Sequence, residues 1–231
     1  MPSYQEVLDA DPAEFESCGD ELEGAAGELS SGRERYRSHV DDTDAHWSGG
    51  DHERVREAAA SLEDEAAGLE RSLGERAAIL KTLGPALALA VETLQHTDQE
   101  LRDAGYDVDP SPQVRPRAPR AEPGPFGPAL AALDEVTAET ATVLLKMMHR
   151  AVVVMDETMA RALEAGELPV GLAQVILDEW GDIAEAADVV RGRLTETALE
   201  DQYGTAAAPR TMLTSGKATE TALEIAARFA R

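Results

Sequence analysis

The chain has 231 residues, enough to bury one sizeable core or two small ones, and its formal net charge of −24 repels phosphate backbones and anionic lipid headgroups. This composition argues against nucleic acid as a partner and against membrane attachment by charge. A single cysteine, Cys18, excludes an internal disulfide, and with an acidic N-terminus and no apolar stretch no cleaved signal peptide is expected; cytoplasmic residence, or secretion without a cleavable signal, is the expectation.

Two helix starts open the chain. Ser3-x-x-Glu6 and Asp11-Pro12-x-Glu14 are capping-box patterns, the second with Pro at the first helical position, where its missing N–H is not needed. From there Phe15, Cys18, Leu22, Ala25, Leu29, Tyr36 and Val40 recur at steps of three and four, which predicts a helix from Asp11 to about Asp44 with one narrow apolar seam. On that seam Cys18 is expected to be a small buried hydrophobe. Asp51 is expected to cap a second helix that runs to about Tyr106, with Val55, Ala59, Leu62, Ala66, Leu69, Leu73, Leu80, Leu83, Leu87, Leu94 and Leu101 in line. A short loop makes the two seams each other's nearest cover. In that loop Gly49 and Gly50 adopt positive φ at little cost, and Trp47 is placed to fold its indole over the end of the hairpin.

Trp47-Ser48-Gly49 at the bend, the arm lengths, and the closing run Ala104-Gly105-Tyr106-Asp107-Val108-Asp109-Pro110 make residues 1–109 similar to the Trp-x-Gly helical-hairpin proteins of type VII (ESX-type) secretion. The resemblance implies an exported substrate, a partner subunit or a targeting module, and a small helical protein or secretion component as partner. One element of that family is missing. The export signal Tyr-x-x-x-Asp/Glu would need an acid four residues after a tyrosine, and Tyr4, Tyr36, Tyr106 and Tyr203 are followed there by Leu8, Val40, Pro110 and Ala207.

Residues 110–127 read as a Pro/Arg-rich linker, since seven of the twelve prolines fall between Pro110 and Pro128 and Arg115, Arg117 and Arg120 stand among them with one acid, Glu122. Residues 128–231 are expected to be helical again. Pro128 to about Ala165 forms one helix, stopped by Gly166. Val170 to about Glu200 forms the next, with Leu172, Ile176, Trp180, Ile183, Ala187, Val190 and Leu194 on one stripe. After a loop at Tyr203-Gly204 and Pro209, a last helix from Ser215 to Ala230 turns Leu223, Ala226 and Phe229 inward. Trp180 lies within a helical pattern, so a core or interface place is expected for it.

Ala78–Leu94, with only Lys81 and Glu92 charged, and Val143–Met155, with only Lys146, His149 and Arg150, are more apolar than a hairpin arm requires. Both fall short of the roughly 20 apolar residues of a bilayer span, so burial against neighbours is expected. At 1.5 Å per residue the second arm outreaches the first by about 30 Å, and Leu80, Leu83, Leu87, Val91 and Leu94 are expected to be covered by Leu144, Met148, Val152 and Met155. Pro85 is expected to kink the second arm. The fold class expected is therefore all-α, an elongated antiparallel hairpin extended by a C-terminal helical bundle.

Catalytic and phosphate-binding patterns are missing from the sequence: His39, His46, His52, His96 and His149 form no His-Glu-x-x-His, and no Gly-x-Ser-x-Gly occurs. Asp42, Asp44, His46, Asp51 and His52 around the bend are the residue types that end one helix and cap the next, so no metal or other cofactor is expected. His149 is expected at the edge of a core. The functional expectation is a non-enzymatic protein that works by helix-on-helix association; the alternative is a cytoplasmic structural or regulatory helical homo-oligomer.

Overall fold

A computed structural model describes residues 2–43, 46–117, 127–169 and 171–203. Helix accounts for 83% of the described residues and strand for 4%, so the chain is of the all-α class. Its elements are α1 (Tyr4–Leu8), α2 (Ala13–Thr43), α3 (Gly50–Asp103), β1 (Tyr106–Val108), β2 (Val114–Pro116), α4 (Gly127–Ala165) and α5 (Leu172–Tyr203). The expected helix Ser215–Ala230, with Leu223, Ala226 and Phe229, lies outside the described residues, as do Asp44, Arg120, Glu122, Gly204 and Pro209 and the side chains of Ile176 and Leu194. The residues divide into two compact units. The first holds residues 1–12, 87–157 and 171–231, and the second residues 13–86 and 158–170.

In the first unit the capping box forms as its sequence predicts. Ser3 Oγ accepts from the Glu6 N–H at 3.3 Å, and Glu6 returns a carboxylate oxygen to the Ser3 N–H at 2.6 Å. Hydrogen bonds from the Ser3 backbone N–H and the Ser3 side chain to the Glu6 carboxyl hold it below the usual carboxylate range. The short helix is then pinned by its own side chains. Val7 is buried, Tyr4 donates its hydroxyl to Asp98 Oδ1 at 2.9 Å, and Gln95 donates to the Leu8 and Ala10 carbonyls, both at 2.9 Å. Asp98 also accepts from Arg102 Nε at 2.6 Å, and Arg102 reaches on to the Val108 carbonyl at 3.1 Å. On the other side of Tyr4 the His149 ring stands edge-on at 5.7 Å, with Nε2 3.2 Å from the Pro2 carbonyl oxygen. His149 thus sits at a core edge with a partner, as its place on α4 leads one to expect. Around this polar knot the apolar faces are dry: Leu87, Val91, Leu94 and Leu101 on α3, Leu144, Leu145, Met148 and Val152 on α4, and Trp180, Ile183, Ala187 and Val190 on α5 are all buried.

Burial and the neighbouring Asp98 carboxylate push the Tyr4 phenol far above its ordinary value of about 10. The folded state therefore keeps the proton that the unfolded chain gives up above about pH 10, and stability should decline as pH rises past that point. Tyr4→Phe is expected to cost about 1–2 kcal/mol near neutral pH, because it removes a donor from buried Asp98, and to make the alkaline decline shallower. Urea unfolding near neutral pH and at about pH 11 reads both effects.

In the second unit α2 and α3 pair antiparallel. Lys81 of α3 meets Asp20 at 2.9 Å and also Glu23; Glu70 meets Arg33 and Glu63 meets Arg37, each at 2.9 Å, so partners climb one helix while descending the other. Closest approach is near the start of α2. A Cβ on Gly84 would stand 3.3 Å from the Phe15 carbonyl oxygen, and one on Gly19 would stand 3.2 Å from Lys81 Cγ. This corrects the expected burial of Cys18, which is exposed: α2 turns the adjacent Gly19, not Cys18, to its neighbour. A second correction concerns Asp51. The helix begins at Gly50, so Asp51 lies in its first turn, 3.4 Å from Arg54, where its charge favours the helix N-terminus instead of capping it.

Among the described residues the strands are a single pair of three residues each. Tyr106 faces Pro116 and Val108 faces Val114, with Arg117 Nε bonded to Asp107 at 2.9 Å. Residues 114–116 thus belong to a paired element, where the prolines and arginines of 110–127 lead one to expect a solvated spacer.

Candidate interaction surface

The bend residues lie where their sequence places them, between α2 and α3. The Trp47 N–H closes on the Thr43 carbonyl at 3.0 Å, and Gly49 takes φ +113°, a value open to glycine; its carbonyl accepts the Glu53 N–H at 3.2 Å to start α3. Gly50 does not share the positive φ and is already helical. The Trp47 indole does not disappear into a core. It is 43% exposed, with its ring 5.5 Å from that of buried His52 at an interplanar angle of 61°.

From this tip an apolar stripe runs up α3 in steps of seven, Val55, Leu62 and Leu69, and continues through Leu73 and Leu80. Seven residues are close to two helical turns, so these side chains share a face. Their fates differ. Leu80 and Leu83 are buried, whereas Val55, Leu62 and Leu69 are 43%, 51% and 55% exposed. Leu62 and Leu69 each stand one residue before a glutamate that pairs with α2, and Tyr36, also exposed, stands one residue before Arg37. Because the helices run in opposite directions, that one-residue step turns all three side chains to the same side of the seam. One groove between α2 and α3 is thus lined by ion pairs, and the opposite groove is apolar.

Why the apolar groove is dry at one end follows from the third partner in this unit. Residues 158–165, the last turns of α4, bury Met159 and Ala162, and the helix stops at Gly166, whose Cβ would lie 3.6 Å from Glu75 Oε2. Gly166 takes φ +74° and its N–H bonds the Ala162 carbonyl at 2.8 Å, which ends the helix in the left-handed manner. Ala77, Ile79, Leu80 and Leu83 lie on the buried side of that level; Leu69, Leu62 and Val55 lie past it. Two helices alone cannot enclose an apolar seam, and among the described residues no third one continues.

The remaining sequence-derived interface positions are all buried. Leu87, Val91 and Leu94 share the first unit with Leu144, Met148, Val152, Met155 and Trp180, while Leu80 and Leu83 fall in the second unit. The exposed stripe was present in the periodicity, but its exposure was not, because the pattern reads the same at Leu69 and at Leu80.

A shallow cleft of about 440 Å³ lies between β2 and α4, lined by Val114, Pro116, Ala138, Thr142 and Val143 with Glu135, Glu139 and Gln113 at its rim. The Thr142 hydroxyl that faces it already accepts the Val114 N–H at 2.9 Å and donates to the Ala138 carbonyl. Among the described residues no group of three or more His, Cys, Asp or Glu converges as metal ligands. Compared with protein-family models, curated proteins and solved structures, the chain matches none.

Trp47→Ala should separate tip from core. Since the indole is nearly half exposed and its one ring contact is His52, the variant is expected to lose less than about 1 kcal/mol of stability while losing any partner that docks at the tip. Thermal melting and partner capture measured on the same preparation distinguish the two effects.

Proposed function

We propose that the protein acts by helix-on-helix association, offering the apolar groove of α2 and α3 to a helical partner protein, and that it is a substrate or targeting partner of the type VII secretion kind. The observation that carries this reading is the stripe Val55, Leu62 and Leu69, left wet beyond the level at which α4 ends. An apolar strip of this length on a folded chain marks an interaction site. The tryptophan at the bend, the positive-φ glycine after it and the antiparallel ion pairs support the family part of the reading. Residues 13–86 carry eighteen acids against eight bases, so a partner with basic flanks to its apolar seam would associate fastest.

The test is co-expression with each small helical protein encoded by a neighbouring gene, followed by co-purification at low and high salt. Retention through high salt is expected, and loss of capture in Leu62→Lys/Leu69→Lys, whose exposed positions leave the helices intact. Purification alone in every pairing would instead support a cytoplasmic regulatory or structural helical protein, the reading that the missing Tyr-x-x-x-Asp/Glu favours.

A further inference from the structure

The cleft between β2 and α4 lies within the first unit, and its two walls present mainly one kind of polar group. On α4, Glu135 and Glu139 stand one turn apart at the rim, both exposed. The other positions three and four residues from them are Ala131, Ala132, Val136, Ala138, Thr142 and Val143, so no base on α4 is in reach, and like charges at this spacing work against the helix. The two bases of the facing segment are engaged elsewhere. Arg117 Nε donates to Asp107 at 2.9 Å, and Arg115 stands 3.9 Å from Asp109 with its Nη2 donating to Gln113 Oε1 at 3.0 Å. Among the described residues neither glutamate has an ion-pair partner.

The facing wall is the outer rim of β2. Its Val114 N–H is spent on Thr142 Oγ1 at 2.9 Å, Pro116 has none, and the Thr142 proton is spent on the Ala138 carbonyl at 2.8 Å. A strand residue turns its N–H and C=O to the same side, so the Val114 carbonyl faces α4 as its N–H does. The walls thus offer carbonyl and carboxylate oxygens, against which the Gln113 amide is the one side-chain N–H donor among the lining residues. Between them the floor is apolar, with Val114 and Ala138 buried and Val143 39% exposed. An anion would meet two carboxylates here. A guanidinium suits the site better than an ammonium, because its planar N–H fork spans paired acceptors and its weaker hydration makes an apolar floor less costly. The cleft's volume of about 440 Å³ lies in the lower part of the range of small-molecule sites, roughly 300–1,000 Å³.

We propose that this cleft binds a small guanidinium compound, its planar head held by Glu135 and Glu139 on one wall and the β2 carbonyls on the other, and its short apolar stem laid over Val114, Ala138 and Val143. The site uses no residue of the α2–α3 groove and stands or falls separately from the reading above.

The probe is butylguanidinium, titrated into the full-length chain and followed by amide chemical shifts, with the neutral isostere butylurea as control. Saturable shifts confined to Gln113, Val114 and Arg115 and to residues 135–143 are expected. Glu135→Gln/Glu139→Gln, which alters exposed side chains only, should weaken binding at least about tenfold, and butylurea should bind the unaltered chain at least about tenfold more weakly than butylguanidinium. A chain of net charge −24 attracts any cation, so Glu57→Gln/Asp64→Gln, which removes two exposed charges from α3 in the second unit, should leave the affinity within about twofold. Val143→Lys offers an independent test. Its ammonium, four residues after Glu139, would occupy the rim from within the chain and should abolish binding with helical circular dichroism unchanged. Shifts that spread over the acidic helices without saturating, equal binding of butylurea, or full binding by either the Glu135→Gln/Glu139→Gln or the Val143→Lys variant would each overturn the proposal.

Discussion

Leu94→Ala should lower the free energy of unfolding by about 2–5 kcal/mol, whereas Leu69→Ala should change it by less than about 1 kcal/mol. Both leucines lie on α3, twenty-five residues or close to seven turns apart, and so on one face of one helix. Leu94 is fully buried, and truncating it leaves a void among neighbours that cannot all relax into it; Leu69 is 55% exposed, and truncating it mainly returns to water a surface already wet. Urea midpoints of the two variants, read by circular dichroism, make the comparison. Equal losses would mean that the groove near Leu69 is closed in solution.

Asp98→Ala should cost about 3 kcal/mol, far more than removing an ion pair between α2 and α3. Its carboxylate is nearly buried and accepts from the Tyr4 hydroxyl and from Arg102 Nε and Nη2. Without it the Tyr4 hydroxyl is left inside with its acceptor gone, and Arg102 loses its charge partner, so desolvation goes uncompensated twice. Because Tyr4 anchors α1 against α3, the loss should also loosen the first residues, which faster amide exchange at Tyr4–Leu8 would register. Arg37→Ala is the control. Its guanidinium is 55% exposed, so its pair with Glu63 is screened by solvent and its loss should be small beside that of Asp98. Comparable losses in the two variants would show that the knot around Asp98 is open to water.

The helices were legible because their signals are local: Ser3-x-x-Glu6 closes its capping box, and the seven-residue spacing from Val55 to Leu69 runs on one face of α3. What the sequence did not disclose was which parts of a stripe stay wet. Cys18 occupies a seam position by spacing, yet the close approach of α2 to α3 is made by Gly19, a residue with no side chain to score as apolar. Leu69 and Leu80 are equivalent by period and differ because α4 ends beside Glu75, a fact set by Gly166, some ninety residues further along. The strands were hidden for another reason. Three residues are too few to show alternation, and Val114-Arg115-Pro116 sits among prolines that read as linker.

That proline spacing has a consequence for how the chain fails when stressed. Gln113 gives its carbonyl to Asp109 and Arg115 faces Asp107, so the even-numbered residues Pro112, Val114 and Pro116 present the outer rim of β2. Two of them have no N–H, and the third has given its N–H to Thr142. On the β1 side the Val108 carbonyl is taken by Arg102. A stray extended segment from a neighbouring molecule finds no N–H donor along the rim of β2, so strand addition there loses half of its ladder and is disfavoured.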